Sequence, residues 1–279
     1  MRRLICVFSI LLSIFVQTET YIVDNEGELN LREAIEYANA NPGRDTIRFD
    51  TSEWYPVPNP ADPEFFFRDP IVISDDLEII NTDKLLYVTL APWNFDKRIM
   101  YIMPGVKILL IKIAFRGGHS DKGAGLYVGS GAVVELENCI FRFNTATMQG
   151  GGIYNDGGTV IIRNSGIAFC SAGDEGGGIY NNGGVIISYS EITDAAGAYI
   201  SYNSAGARGG SIYVNGGSVS LEKSGFSSGS EAPLGDAIYL ESGNLQVFRC
   251  TFYARYPSYQ CVSGGGLFIA GGHASVVNS

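Results

Sequence analysis

"GGGIYNDGGTVIIRNS", residues 150–165, sets three glycines before an apolar-aromatic pair, a polar turn, a strand-like run and an Asn-Ser. A variant follows at once as "GGGIYNNGGVIISYSE", residues 176–191. Aligning the chain on the apolar-aromatic pair gives Leu126-Tyr127, Ile153-Tyr154, Ile179-Tyr180, Ile212-Tyr213, Ile238-Tyr239 and Leu267-Phe268. Successive aromatics lie 27, 26, 33, 26 and 29 residues apart, and small residues precede every pair. A second landmark follows each aromatic by ten to twelve positions: Cys139, Ser165, Ser190, Ser224, Cys250 and Ser279. Asn138, Asn164 and Asn278 stand immediately before three of them. Spacing inside the phrase is nearly constant and spacing between phrases is free, which is the signature of one fixed half and one loop half in each coil of a solenoid.

The segments "TVIIRNS", "GVIISYS", "GSVSLEKS" and "NLQVFRC" are too short and too β-branched for helices. Each coil therefore consists of strands joined by turns, and stacking pairs every strand with its copy about 4.8 Å away. The expected fold is all-β: a parallel β-helix, right-handed by the general handedness of parallel crossovers. Glycine turns the tight corners and lets neighbouring coils approach. A phosphate-binding loop is disfavoured, because no helix and no suitably spaced lysine follows the glycines and the phrase recurs.

The chain opens with Arg2, Arg3 and an apolar run from Leu4 to Val16, closed by Gln17 and Thr18. Thirteen apolar residues fall short of the roughly 20 needed to span a bilayer, so residues 1–18 read as a signal peptide and the mature chain as lacking a transmembrane segment. Without the two arginines the net charge moves from −10 to about −12, which argues against nucleic acid and disfavours direct capture of polyanions. Residues 19–70 read as an N-terminal cap. In "LNLREAIEYANANPG", Leu31, Ala34, Ile35 and Ala38 share a helical face, with Asn30 as N-cap and Glu33 completing a capping box. Pro42 and Gly43 end the helix, "DTIRF" is a strand, and the proline-rich stretch from Tyr55 to Pro70 reads as an irregular loop. A helix over the first coil would cover strand edges that otherwise invite pairing. Residues 71–279 read as the coils. The last breaks off at its landmark, so the chain reads as a fragment of a longer protein or as one whose final edge is covered.

The phrases "GGGI", "GGGI", "GGSI" and "GDAI", with "FRFN" at 141–144 and a weaker "ISYN" at 200–203, resemble the repeats of right-handed parallel β-helix proteins of the pectin-lyase-like superfamily, especially those of the polymorphic outer-membrane-protein type. "LREAIEYAN" followed by "GRDTIRF" is similar to the N-terminal segment of bacterial surface β-helix proteins that begins Cys-Ser-Leu-Arg-Glu-Ala; here Leu29 and Asn30 stand for the Cys and Ser. The resemblance covers nearly all of the mature chain and implies an exported, cell-surface or secreted protein, often adhesive.

Such folds also include polysaccharide lyases and hydrolases. The polygalacturonase-like pattern is not met: Asp75-Asp76 precedes Asn81-Thr82-Asp83, the reverse order, and no Gly-His-Gly follows. Adjacent aspartates alternate sides on a strand, so Asp75-Asp76 reads as a turn. Arg116, Lys122, Arg142 and Arg163 do not recur at stacked positions with Asp156, Asp174 and Glu175; Arg142 becomes Ala168, and Arg163 aligns with Glu137 and Ser188. They read as surface charge. His119 and His273 are too far apart in the stack to share a metal, and no cofactor is expected, Ca²⁺ entering only with a lyase reading. Cys139 and Cys250 occupy one landmark four coils apart, roughly 19 Å and beyond disulfide reach. They read as buried or free thiols; a Cys250–Cys261 clip is the alternative.

Ile and Tyr are neighbours in the recurring pair, so they face opposite ways. The expectation is Ile inside, with Tyr127, Tyr154, Tyr180, Tyr213 and Tyr239 forming an outward or corner ladder that could bind extracellular glycan or a cell-surface protein; inward tyrosines would be packing. The functional expectation is a secreted or surface scaffold, structural or adhesive and without enzymatic activity, the alternative being a lyase or glycoside hydrolase acting on extracellular glycan.

Overall fold

A computed structural model describes residues 18–23, 28–49, 64–82, 87–94, 96–189, 199–227, 232–253 and 263–279. The chain winds as a right-handed parallel β-solenoid of about eight turns. The coil that begins at Leu126 shows the plan. Strand Leu126–Val128 carries the apolar-aromatic pair, Val133–Glu137 is the ladder strand, Ile140–Arg142 runs along a second wall, and Thr145–Gln149 returns the chain to the next pair. Copies stack into sheets of sixteen, eight and four strands. The largest has two limbs, one of pair strands and one of ladder strands, which merge in the continuous strand Ile212–Glu222.

The pairing register follows the sequence alignment: Tyr127 opposes Tyr154, then Tyr180, Tyr213, Tyr239 and Phe268. The 33-residue interval is absorbed between Tyr189 and Tyr199, leaving the strands in step. Ile153, Ile179, Ile212 and Ile238 are fully buried in the lumen, and Phe115 stacks on Phe141 at 4.4 Å. A one-residue slip would turn every lumen side chain outward, so the apolar alternation itself holds the register.

Two corner rows put residues other than glycine in left-handed backbone, and glycine rows do so besides. The first is the Asn row, where Asn138, Asn164 and Asn278 have φ of 52°, 49° and 53°. Asparagine tolerates this region, and Lys112, Lys223 and Arg249 take the same conformation in other coils. Behind this corner lies the Ser/Cys landmark: the backbone amide of Cys139 donates to Ser165 Oγ at 2.9 Å and that of Cys250 to Ser279 Oγ at 3.1 Å. Ser190 and Asp83 lie outside the described residues. The glycine triplet makes the return corner. Gly150 has φ of 64°, and a Cβ on it would meet the Ile153 carbonyl oxygen at 2.5 Å; a Cβ on Gly151 would collide with the Ser171 carbonyl.

Several expectations change. Helix α1 runs Glu28–Ala40, so Asn30 lies inside its first turn and is not the N-cap. Its face of Leu31, Ala34, Ile35 and Ala38 is buried as expected, against the first strands. A strand unread in the sequence, Thr20–Val23, precedes the helix and pairs with Asp45–Phe49. The proline-rich stretch contains strand Glu64–Phe67, because Phe65 and Phe67 alternate into the core. "KILLIKIAF" is two strands broken by the left-handed Lys112. Arg163 opposes Glu137 and Tyr189, not Ser188, because Ser188 faces inward opposite Ile162.

Candidate functional site

The tyrosine ladder is built but it is not a surface. Tyr154, Tyr180, Tyr213 and Tyr239 point away from the isoleucine lumen, yet each is only 4–5% exposed. Successive rings stack at 5.0–5.3 Å from Tyr101 through Phe268. The residue preceding each corner glycine supplies the cover. Lys122 Nζ stands 5.1 Å from the Tyr154 ring centroid, Arg208 lies over Tyr213 and Tyr239, and Leu234 packs on the cluster. These residues are themselves stacked, since bridges join Gln149, Glu175, Arg208, Leu234 and Ser263. Arg98 closes the Tyr101 end, donating to the Lys122 carbonyl at 2.6 Å and lying over Tyr101 and Tyr127. Tyr127 donates to Asp156 at 2.6 Å, while Arg208 and Tyr213 share the Glu241 carboxylate. Burial, then the Asp156 charge, pushes the Tyr154 phenol up to about 12; burial raises Tyr127 and Tyr213 as well. Four of the five tyrosines named from sequence thus form a second, outer core, with the partly buried Tyr127 packed against it. The reversal has a physical cause: the return corner folds back over the rings, and nothing in the Ile-Tyr alternation records that third layer.

A different aromatic row faces solvent. Phe143, Phe169 and Tyr202 stack at 5.3 and 5.0 Å, with planes 18° and 4° apart. Phe143 is 52% and Phe169 47% exposed, and Tyr202 is half-buried. All three sit at the second left-handed corner, with φ of 57°, 55° and 54°. Bulky side chains are rare there, and each such residue stores about 1–3 kcal/mol of strain. The side chain of the next residue holds the corner. Asn144, fully buried, accepts from the Gly118 amide at 2.9 Å and donates to the Phe115 carbonyl at 3.1 Å. Asn203 does the same between Cys170 and Ile167. This explains "FRFN" residue by residue: Phe141 fills the lumen, Arg142 points out, Phe143 takes the strained corner and Asn144 fastens it. Sequence reading marked the phrase and missed that its second aromatic faces solvent.

Beside the row lies a depression of about 340 Å³ lined by Glu64, Tyr87, Thr89, Arg116, Arg142 and Phe143, among others. A second, of about 310 Å³, shares Arg116 and Phe143 and reaches His119 and Thr145. Contrary to the sequence reading that these arginines do not recur at stacked positions, Arg116 and Arg142 oppose each other in register, because both lie at the same place on the second wall. Arg116 is neutralised by Glu64 at 2.8 Å, whereas Arg142 has no ion pair among the described residues. On the other flank runs a polar column, His119, Thr145, Ser171 and Ser204, with Ser171 Oγ 3.1 Å from Thr145 Oγ1. The face is therefore an apolar stripe along the solenoid axis, with the unpaired Arg142 at one end of one flank, which continues as Ala168 and Ser201, and a largely hydroxyl-bearing column on the other.

Other candidates prove structural. Asp75 accepts from the Gly43 amide at 3.1 Å and Asp76 from the Lys107 amide at 2.7 Å, so both organise turns. Arg163 pairs with Glu135 at 2.7 Å. Cys139, Cys170 and Cys250 are free and buried, and burial raises the Cys139 thiol to about 12. Cys6 and Cys261 lie outside the described residues. Among those residues no three His, Cys, Asp or Glu side chains are grouped to hold a metal ion, and no helix is long and apolar enough to cross a membrane.

Stacked, in-register coils with a solvent-facing stripe define a repeat protein of the β-solenoid class. Residues 114–279 match the family described as right-handed beta helix region, and the chain belongs to that family. No curated protein and no solved structure matches it.

Proposed function

We propose that this chain is an extracellular binding scaffold, exported by its N-terminal leader, that holds an extended glycan without cleaving it. The carrying observation is the solvent-facing stack of Phe143, Phe169 and Tyr202, maintained at the cost of backbone strain. A pyranose presents an apolar C–H face and a rim of hydroxyls, so it fits an aromatic stripe flanked by polar donors and acceptors. The ring spacing of 5.0–5.3 Å repeats once per coil, which suits a polymer lying along the axis better than one compact ligand. The pectin-lyase-like and outer-membrane-repeat resemblances point to the same extracellular setting.

Hydrolysis by paired carboxylates needs two of them facing one cleft, roughly 5–10 Å apart. The described lining of the depression carries one, Glu64, already engaged by Arg116. A lyase is the second reading, in which the unpaired Arg142 would hold the carboxylate of an acidic sugar beside the bond to be broken. A glycan panel incubated with the protein, with and without Ca²⁺, separates the two. Retention of a polymer without product supports the scaffold, and product release overturns it. Phe169→Ala should weaken retention roughly tenfold. Undiminished retention by that variant removes the aromatic row from the site.

A further inference from the structure

Asp45 begins the second strand of the solenoid with no exposed surface. Its Oδ1 accepts one hydrogen bond, from the backbone nitrogen of Glu19 at 2.7 Å, and its Oδ2 is buried without a partner. Burial raises its pKa against the lowering hydrogen bond from the Glu19 amide, and among the described residues the charges acting on it are the carboxylates of Glu19 and Asp75, both repulsive. Among the described residues this buried carboxylate has no counter-ion, which native structures ordinarily provide.

The nitrogen touching Asp45 is also the one that removal of residues 1–18 would free. We propose that the mature chain begins at Glu19 and that its new α-ammonium group is the counter-ion of Asp45. Hydrolysis of the Thr18–Glu19 bond adds one water: the oxygen goes to the Thr18 carbonyl carbon, giving a carboxylate, and both protons go to the Glu19 nitrogen, giving an ammonium. The amide hydrogen bond becomes a charge-assisted one, and the two added protons become available to the bare Oδ2. Glu19 is held for this role. Its carbonyl accepts from the Thr46 amide at 2.8 Å, and its side chain accepts from the Tyr21 hydroxyl at 3.0 Å, which in turn accepts from Asn41. Leader removal would thus complete the N-terminal edge and favour folding after export.

The inference rests on the leader reading, but its chemistry is testable without export. A chain released from a fusion so that Glu19 is its first residue is compared with the same chain preceded by Gly-Ser, each with Asp45 and with Asp45→Asn. The free-amine chain should melt about 5 °C above the extended one, and D45N should erase the difference. Equal melting, or a difference that survives in D45N, overturns the ion pair. Should D45N not fold, acetylating the Glu19 amine takes its place and must remove the increment; retention of the increment overturns the proposal. N-terminal sequencing of the exported protein should read Glu19 first, and another start overturns the cleavage assignment alone.

Discussion

At the scale of single residues, the protein is governed by which positions take left-handed backbone. Asn138, Asn164 and Asn278 announce their corner because asparagine is suited to it, and the glycine triplets announce theirs. Phe143 and Phe169 do not, since an aromatic side chain at φ near 55° runs against local preference. The site was illegible in the sequence at the point where a local rule is broken, which is where function is expected to oppose stability. Phe143→Gly should therefore leave stability within about 1 kcal/mol, as strain relief offsets the lost stacking, while glycan retention falls. Thermal melting and a binding assay on the same sample check both halves; a large drop in melting temperature contradicts the strain argument. Gly150→Ala has no such compensation. It places a Cβ against the Ile153 carbonyl in a left-handed conformation, and should cost about 3 kcal/mol, read by chemical denaturation.

At the scale of elements, the Ile-Tyr strand was correctly placed and its outer face misjudged. Period-two alternation says that Tyr154 and Ile153 face opposite ways, and both are buried because the protein has three layers on that side. Only stacked positions such as Lys122 and Arg208, one residue before each corner glycine, could have signalled the cover, and their varied chemistry hides the row. Tyr101 extends the ladder one coil further without any glycine phrase before it. The ladder has a consequence in alkali. With the Tyr154 phenol raised from 10.0 to about 12, the native state keeps its proton after the unfolded chain has lost it. Stability present below pH 10 is therefore lost progressively between about pH 10 and pH 12. The phenolate absorbance that Tyr154→Phe removes should rise late and together with loss of β structure; if that difference already appears near pH 10 in a folded protein, the ring is accessible.

At the scale of the whole molecule, coil period and strand register were readable because one pattern repeats six times. The N-terminal end was less so, because Thr20–Val23 and Glu64–Phe67 occur outside any repeat. In a stack where each coil touches only its neighbours, local stability follows position. Strand His273–Val277 is exposed at every residue, whereas Val133–Glu137 is paired on both sides. Amide exchange should be fastest in the former and slowest in the latter; uniform exchange would show that the solenoid opens as one unit.

The parallel ladders also decide how the protein bears load. All their hydrogen bonds run along the solenoid axis, and the first and last coils lie at opposite ends of that axis. Tension applied between the two ends peels one coil at a time instead of shearing many strands together. Each 26-residue coil would release roughly 90 Å of chain. A scaffold gripped at its end and bound along its flank would yield in small steps, dissipating force before the bound polymer is let go.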